Sequence, residues 1–264
     1  MKCVILQPSY IPWRGYFHQI QKADVFVFLD DVQFDRRGWR NRNRIKTAKG
    51  TQWLTIPVLS KNHQSDGTPI NEIPICWDRS WNSTHCSTLR HAYAKAPYFD
   101  DYAPLLERVF QSRPALLADF TIELTVLLSD LLGLRGKRFV RSSMVGGNGF
   151  KTDRVISILD KFGASHYISG PSAKQYIELD KFDAAGIGLE YMDYRYPEYQ
   201  QLYPPYDPQV SILDLLFMKG PRAPELIWAN PFAAQTRDLR PATAVGSTPT
   251  RAIARVAAGH RKHG

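Results

Sequence analysis

Three arginines at alternate positions carry the chemistry that is easiest to recognise in this sequence. Arg40, Arg42 and Arg44 lie within WRNRNRIK, so a β-strand would direct their side chains to one face. Planar guanidinium groups bind phosphate or carboxylate through two hydrogen bonds at a time. We therefore expect an anion site for a nucleotide, a sugar-nucleotide pyrophosphate or the end of an RNA. The opposite face of that strand would carry Trp39, Asn41, Asn43 and Ile45. Residues 44–47 and 52–57 flank a polar turn with Gly50, which predicts a β-hairpin, with Trp53 to Pro57 as an inner strand.

A second polar and aromatic group lies near the N-terminus, in QPSYIPWRGYFH. Its side chains offer hydrogen-bond donors, acceptors and flat apolar rings, while its two prolines stiffen the chain and Gly15 lets a backbone or ligand approach closely. Three residues near these segments could act as a base: His18, at the end of the second group, and Asp30 and Asp31, which precede the arginines. The predicted substrate-binding residues in the first 44 positions are Gln7, Tyr10, Trp13, Gly15, Tyr16, Gln33, Arg40, Asn41, Arg42, Asn43 and Arg44.

The elements that position these groups form a β-α-β pattern. Lys2 to Leu6 and Val25 to Leu29 are short apolar runs, and between them Trp13 to Lys22 has apolar residues at helical spacing. Two strands joined by a helix are parallel, and ligands of open parallel sheets bind at the carboxyl ends of the strands. We therefore expect the loops 7–15 and 30–44 to face one crevice.

A later segment repeats this arrangement. His166 to Ser169 is a predicted strand, a Gly-Pro-Ser turn follows, and a short helical stretch covers residues 173–180 before another strand at 189–194. Its predicted substrate-binding residues are Gly170, Ser172, Lys174 and Tyr176. A serine hydroxyl and an ammonium suit a phosphate, and the turn would meet the first loop across the crevice.

Plainer interpretations exist for each group. Alternating arginines on a strand can be solvated and neutralised by nearby aspartates. Aromatic residues at helical spacing often belong to the core, and the second turn could be a capped helix beside a surface lysine. His63 and Asp66, in a polar loop 59–68 that could cover the site, could transfer protons or simply be solvated.

Several strings in the chain resemble the WbqC-like family. They are ILQPSYIPWRGYF, AD.FV.LDDVQF, W.NRNRI and WLTIPV, with YISGPSAKQYI and VSILDLLF further on, so the resemblance covers about residues 1 to 230. This bacterial family is associated with O-antigen and other surface-polysaccharide gene clusters. The resemblance implies a role in polysaccharide or secondary-metabolite assembly, with glycine transfer to a sugar as one suggested reaction. It supplies no catalytic residue to carry over.

Composition and pattern together predict the domain organisation. With 264 residues, of which 44% are hydrophobic, the chain can bury a substantial core. We predict one three-layer α/β domain over residues 1–234, with a mainly parallel Rossmann-like sheet and a helical insertion at about 80–135. Residues 235–264 contain six Lys and Arg and one Asp, and so carry +5 of the net charge of +9. They lack aromatics and are predicted to form a basic, largely disordered tail.

Charge and cysteine content exclude few functions. Because more than half of the net charge lies in the predicted tail, it is weak evidence for nucleic-acid binding. No run of 18 apolar residues and no signal-peptide pattern is present, so we expect no membrane span and a cytoplasmic location. The three cysteines form no C-x-x-C pair, which argues against a disulfide framework and a zinc site, and we predict no metal site.

Two classes of function follow from these observations. One is a transferase of the acyl, aminoacyl or glycosyl type, with a small-molecule or phosphorylated donor, nucleotide-linked or carried by aminoacyl-tRNA, and a carbohydrate-type acceptor. The other is a non-catalytic module that binds a sugar nucleotide or tRNA. The order of a first strand, a turn with a late glycine, a helix and a later Ser/Lys-containing loop is analogous to nucleotidyltransferase-like Rossmannoid folds. Adenylyl transfer is nevertheless disfavoured, because Trp13-Arg14-Gly15-Tyr16 stands where that superfamily has a His-x-Gly-His pair. The donor, the acceptor and the oligomeric state stay open.

Overall fold

The computed structural model describes residues 1–59 and 67–228. Five parallel strands form the main sheet in the order β5-β2-β1-β6-β7. Their bounds are β1 Lys2–Leu6, β2 Val25–Phe28, β5 Arg138–Arg141, β6 His166–Ser169 and β7 Gly188–Tyr191. A separate antiparallel hairpin consists of β3 Arg42–Thr47 and β4 Gly50–Thr55.

Alternation along the strands divides the core into two parts, because successive side chains of a strand point to opposite faces of a sheet. Cys3, Ile5 and Val27 face one side, where they pack with Ile158 and Phe182 of two flanking helices. The alternate residues of β1 and β2 face a larger cluster on the other side, which includes helix α1 and the helical insertion. The two clusters make the domain three-layered.

Eight α-helices are described. They are α1 Arg14–Lys22, α2 Trp81–Tyr93, α3 Phe99–Gln111, α4 Leu117–Leu131, α5 Ser142–Val145, α6 Lys151–Lys161, α7 Leu179–Ala184 and α8 Ile212–Lys219. Helices α2 to α4 lie between the hairpin and β5, as the predicted insertion. Turns of 3-10 helix cover Ile70–Glu72, Pro171–Gln175 and Gly220–Leu226. None of the described helices is long and apolar enough to cross a membrane.

The predicted fold class is confirmed: the sheet is parallel, helices flank it, and α2 to α4 are inserted. From β1 the chain adds β2 and β5 on one side, then returns to add β6 and β7 on the other. The order therefore reverses between β1 and β6, which pair directly. Crevices for ligands in open α/β sheets form at such a reversal, beyond the carboxyl ends of the strands.

Some local predictions were wrong. The stretch 173–180 is not one helix, because a 3-10 turn ends at Gln175 and α7 begins only at Leu179. The spacing of Ser211 and Asp214 also predicts a capping box at the start of α8. Ser211 does cap the helix, accepting a hydrogen bond from Leu213 N, but Asp214 does not complete the box. Its carboxylate instead accepts from the hydroxyls of Tyr93 and Tyr199 inside the core. His63, Asp66 and the segment 235–264 lie outside the described residues.

Candidate functional site

The loop after β1 is held against the start of the hairpin at the carboxyl edge of the sheet. Tyr10 N donates to Trp39 O at 3.1 Å, and Arg40 Nη1 donates to Gln7 O at 3.3 Å. The Tyr16 hydroxyl donates to the same Gln7 carbonyl at 3.1 Å. Two segments predicted to share a crevice, 7–15 and 30–44, are thus joined by direct contacts.

Asn41 and Asn43 donate side-chain hydrogen bonds to backbone carbonyls in this region. Asn41 Nδ2 donates to Ile56 O at 2.9 Å, and Asn43 Nδ2 donates to the carbonyls of Tyr10 and Ile11 at 3.1 and 2.9 Å. Ile11 has a φ of 36°, a strained conformation for a β-branched residue, so these bonds help to fix an unfavourable turn. Both asparagines were predicted to bind substrate, and both are buried.

Arg42 and Arg44 share one face of β3, as the alternation predicted. Arg42 Nη2 donates to Arg37 O at 2.5 Å, and Arg44 Nη2 donates to Gln209 O and Oε1 at 3.0 and 2.9 Å. Arg40 precedes the strand and is half-buried, and burial lowers the pKa of its guanidinium. Within the described parts of the chain, none of the three arginines forms a salt bridge with a carboxylate. Their charges are therefore not neutralised by a direct ion pair there.

Two tryptophans lie on the same face as Arg42 and Arg44. Trp39 and Trp53 are each 43% exposed, with ring centroids 5.2 Å apart, and the Arg42 guanidinium lies 4.4 Å from the Trp53 centroid. We call Trp39, Arg42, Arg44 and Trp53 the hairpin surface. The expectation that Trp39 would face away from the arginines was wrong, because the strand begins only at Arg42 and its alternation does not extend back to residue 39. Trp53 could have been found from the hairpin register, which pairs it with Arg44.

Asp30 is fully buried and saturated with hydrogen bonds. Its Oδ1 accepts from Ser143 N at 3.0 Å and Ser142 Oγ at 3.2 Å, and its Oδ2 accepts from Arg141 Nε at 2.6 Å and Ser143 Oγ at 2.9 Å. An uncompensated buried carboxylate is strongly unfavourable, so these donors account for its position.

Asp31 extends this network toward solvent. Ser142 Oγ lies 2.5 Å from Asp31 Oδ1, and Arg154 Nη2 donates to Asp31 Oδ2 at 2.5 Å. We call Asp30, Asp31, Arg141, Ser142, Ser143 and Arg154 the aspartate cluster. Its last four members were not among the predicted site residues. Three of them stand at the end of β5, which pairs with β2, so strand order would have identified them.

Tyr10 faces the core. Its ring is fully buried and its hydroxyl is 2.8 Å from His85 Nδ1 in helix α2. Burial raises the pKa of Tyr10 and lowers the pKa of His85 to about 4, so the pair is neutral near pH 7.

Trp13 and Gly15 form a close contact of their own. A Cβ on Gly15 would lie 2.3 Å from Trp13 Cζ2, so glycine is needed there for the indole ring. The close approach predicted for Gly15 is thus made, in this structure, by a neighbouring side chain. The Trp13 ring also packs edge-on against Tyr194, with centroids 4.9 Å apart.

His18 lies on helix α1, facing the loop that follows β7. Its Nδ1 is 2.9 Å from the Tyr196 hydroxyl, and burial together with Lys22 lowers its pKa. The imidazole is therefore neutral at neutral pH. His18 and the aspartate cluster contact different loops, and no hydrogen bond joins them within the described residues.

The residues after β6 are mostly exposed. Gly170 lies beside Tyr194, whose hydroxyl would be 3.4 Å from an added Cβ, and through Tyr194 it connects to Trp13 of the first loop. Ser172 is exposed, and so are Lys174, which lies over the Tyr191 ring, and Tyr176. Gln33, after β2, pairs with Pro69 through an isolated bridge.

A sequence model described as the WbqC-like protein family matches residues 7–226. The chain belongs to this family. It is also 37% identical, over 230 residues, to the uncharacterized protein Rv1507c of Mycobacterium tuberculosis (strain ATCC 25618 / H37Rv), and the aligned region covers 86% of this chain and 97% of that protein. The resemblance recognised in the sequence is thereby confirmed. No solved structure matches the chain.

Proposed function

We propose that this WbqC-like protein is a cytoplasmic transferase that binds a phosphorylated donor at the carboxyl edge of its sheet. The donor would be nucleotide-linked or an aminoacyl-tRNA, and the acceptor a carbohydrate. Acyl, aminoacyl or glycosyl transfer, including glycyl transfer to a sugar, would serve the assembly of O-antigen, another surface polysaccharide or a related metabolite. The O-antigen context comes from the family resemblance alone.

One observation carries this proposal. Arg40, Arg42 and Arg44 follow one another beside the loop after β1, and none has a carboxylate partner within the described residues. Guanidinium groups held by carbonyl oxygens keep their full positive charge, and they remain able to bind a phosphate through two hydrogen bonds. Lys174, on the exposed turn after β6, would supply a further cation.

The candidate bases differ in access. Asp30 is 0% exposed and accepts four hydrogen bonds, so we assign it to positioning the loops after β2 and β5. The Asp31 side chain is 19% exposed and His18 is half-buried and neutral, so these two are better placed to accept a proton from an acceptor hydroxyl.

The contacts that both aspartates make with neighbouring side chains favour a second candidate function. If both carboxylates only hold the fold, the same surface would serve a non-catalytic module that binds a sugar nucleotide or tRNA. Product formation from a bound donor and a sugar acceptor separates the two functions. Binding without turnover, across a panel of acceptors, would favour the module.

The test is a melting-temperature screen against nucleotides, nucleotide sugars and aminoacyl-tRNA, since a ligand that binds only the native state raises the melting temperature. The affinity for each hit is then measured with Arg42→Lys and Arg42→Ala. We expect about tenfold weaker binding for Arg42→Lys and up to about a hundredfold for Arg42→Ala, because lysine keeps the charge but not the two-point contact. Arg222→Ala is a matched control, since Arg222 is a surface arginine paired with Glu225. Unchanged affinity in folded Arg42→Ala would refute the anion site at this residue.

A further inference from the structure

We propose that the hairpin surface is a stacking site for the base of a nucleoside diphosphate, with Trp39 and Trp53 against the base and Arg42 and Arg44 at the phosphates. This inference rests on the proposed function and narrows its donor to a nucleotide. It follows from the pairing of exposed indoles with unneutralised arginines.

The exposure of these two rings is unusual within this chain. All six tryptophans lie in the described residues, and only Trp39 and Trp53 are classed as exposed, at 43% each, whereas Trp81 and Trp228 are at 5% and 9%. Large aromatic rings are normally buried, so two adjacent exposed indoles indicate a binding surface. Their centroids are 5.2 Å apart with an interplanar angle of 35°, so the two partly exposed rings contact each other.

The two arginines are held beside this surface by contacts that keep their charge. Arg42 stacks on Trp53 at 4.4 Å, and Arg44 lies 5.8 Å from the Trp53 centroid and 6.0 Å from that of Trp39. Both donate their hydrogen bonds from Nη2, to Arg37 or to Gln209. Nη1 of each arginine makes no hydrogen bond within the described residues, so it can donate to a ligand.

The combination selects a ligand that is both aromatic and anionic. A base stacks on an indole or a guanidinium plane through its π face, and arginine binds phosphate. A sugar phosphate lacks the aromatic ring, and an uncharged aromatic compound leaves the arginines unused. A nucleoside diphosphate satisfies both requirements within one small molecule.

The surface also adjoins the predicted crevice. Trp39 O accepts from Tyr10 N of the loop after β1, so Trp39 is anchored directly to that loop. Phosphates bound by Arg42 or Arg44 would lie beside the carboxyl edge of the sheet, where the proposed transfer would occur.

The experiment is calorimetric titration of the full-length protein with ADP, GDP, CDP and UDP, with inorganic pyrophosphate, with a hexose 1-phosphate and with a CCA trinucleotide RNA. Each ligand is measured against Trp53→Ala, Trp53→Phe and Arg42→Ala. Phe150→Ala is the matched control, since Phe150 is an aromatic residue 87% exposed on another loop. Melting temperatures establish that each variant is folded.

We expect Trp53→Ala to bind at least one nucleoside diphosphate about tenfold more weakly than the wild-type protein does, or weaker still. Trp53→Phe should retain most of the wild-type affinity. The affinity for pyrophosphate should be unchanged in Trp53→Ala but lower in Arg42→Ala. If Arg42→Ala lowers the affinity for pyrophosphate but Trp53→Ala leaves the affinity for every nucleotide unchanged, the stacking site is refuted and the proposed anion site stands. If no phosphorylated ligand binds the wild-type protein, both fail. Hexose 1-phosphate or RNA that binds more tightly than every nucleoside diphosphate, with loss in Trp53→Ala, would also overturn the nucleotide assignment.

Discussion

The aspartate cluster and the hairpin surface both lie at the carboxyl edge of the sheet, but they differ in how far their charged side chains are compensated by neighbouring groups. In the cluster, Asp30 is buried and every oxygen of its carboxylate accepts hydrogen bonds. On the hairpin surface, the hydrogen bonds that Arg42 and Arg44 make within the described residues go to carbonyl and amide oxygens, beside exposed indoles. A charge saturated by the protein supports the fold, whereas a charge left without a counter-ion can recruit one from solution.

The largest effect expected from this comparison is the loss of stability on removing Asp30. Asp30→Ala leaves Arg141, Ser142 and Ser143 without their shared acceptor in a buried site, so the free energy of unfolding should fall by about 3 to 5 kcal/mol. Urea denaturation measures it. Asp193→Ala, which removes an exposed partner of Arg195, should leave it nearly unchanged.

A stable Asp30→Ala protein would break the contrast between the two regions. It would return Asp30 to the list of candidate bases, provided that activity is lost. Asp30→Asn is the second variant if the alanine protein does not accumulate. It keeps the shape of the side chain, and a smaller loss of stability is expected from it.

The next largest effect is a pH dependence of stability that arises from the buried His85. The pKa of His85 falls from 6.5 to about 4 on folding, so the unfolded chain binds a proton more readily between these values. Stability should therefore decrease as the pH falls from about 6.5 to about 4, by about 3 kcal/mol from this residue. His85→Gln should flatten that part of the profile relative to wild type. Identical profiles for wild type and His85→Gln would contradict the burial of a neutral imidazole.

A smaller effect is expected at Gly15, in the first turn of helix α1. In Gly15→Ala the new Cβ would overlap the Trp13 ring, which must move away from Tyr194. Overpacking of this kind costs about 1 to 3 kcal/mol. Thermal unfolding measures the loss, and the double variant Trp13→Ala/Gly15→Ala should lose less than the sum of the single changes. Additive losses would show that the two residues do not interact.

The comparison also explains what the sequence could and could not predict. The parallel sheet, the insertion and the hairpin follow from hydrophobic periodicity and turn residues, which are local signals. The state of Asp30 depends on Arg141, 111 positions away, so nothing near residue 30 distinguishes a saturated carboxylate from a free base. Tyr10 shows the same limit, because its burial depends on His85, 75 positions away.

The arginines of the hairpin surface could be predicted from the sequence, whereas the positions of its two tryptophans were not. The alternation identified Arg42 and Arg44, but it was extended to Trp39, beyond the start of the strand at Arg42. Trp53 was predicted as part of an inner strand, although pairing it with Arg44 would have shown that it shares the face of the arginines. Cross-strand register, once a hairpin has been assigned, is therefore the signal that would have completed this surface.

The smallest effect on stability is expected within the arginine series itself, and it tests whether Arg40 and Arg42 have different roles. Arg42→Ala removes one backbone contact and a stacking contact on a half-exposed face, so the free energy of unfolding should change by about 0.5 to 1 kcal/mol. Arg40→Ala should cost about 1 to 2 kcal/mol, because Arg40 is half-buried and supports the carbonyl of Gln7 in the strained loop after β1. Chemical denaturation of both variants, beside the affinity measurements, separates the two contributions. If Arg42→Ala destabilised the protein as much as Arg40→Ala, its side chain would belong to the fold, and any loss of binding could no longer be attributed to a free charge.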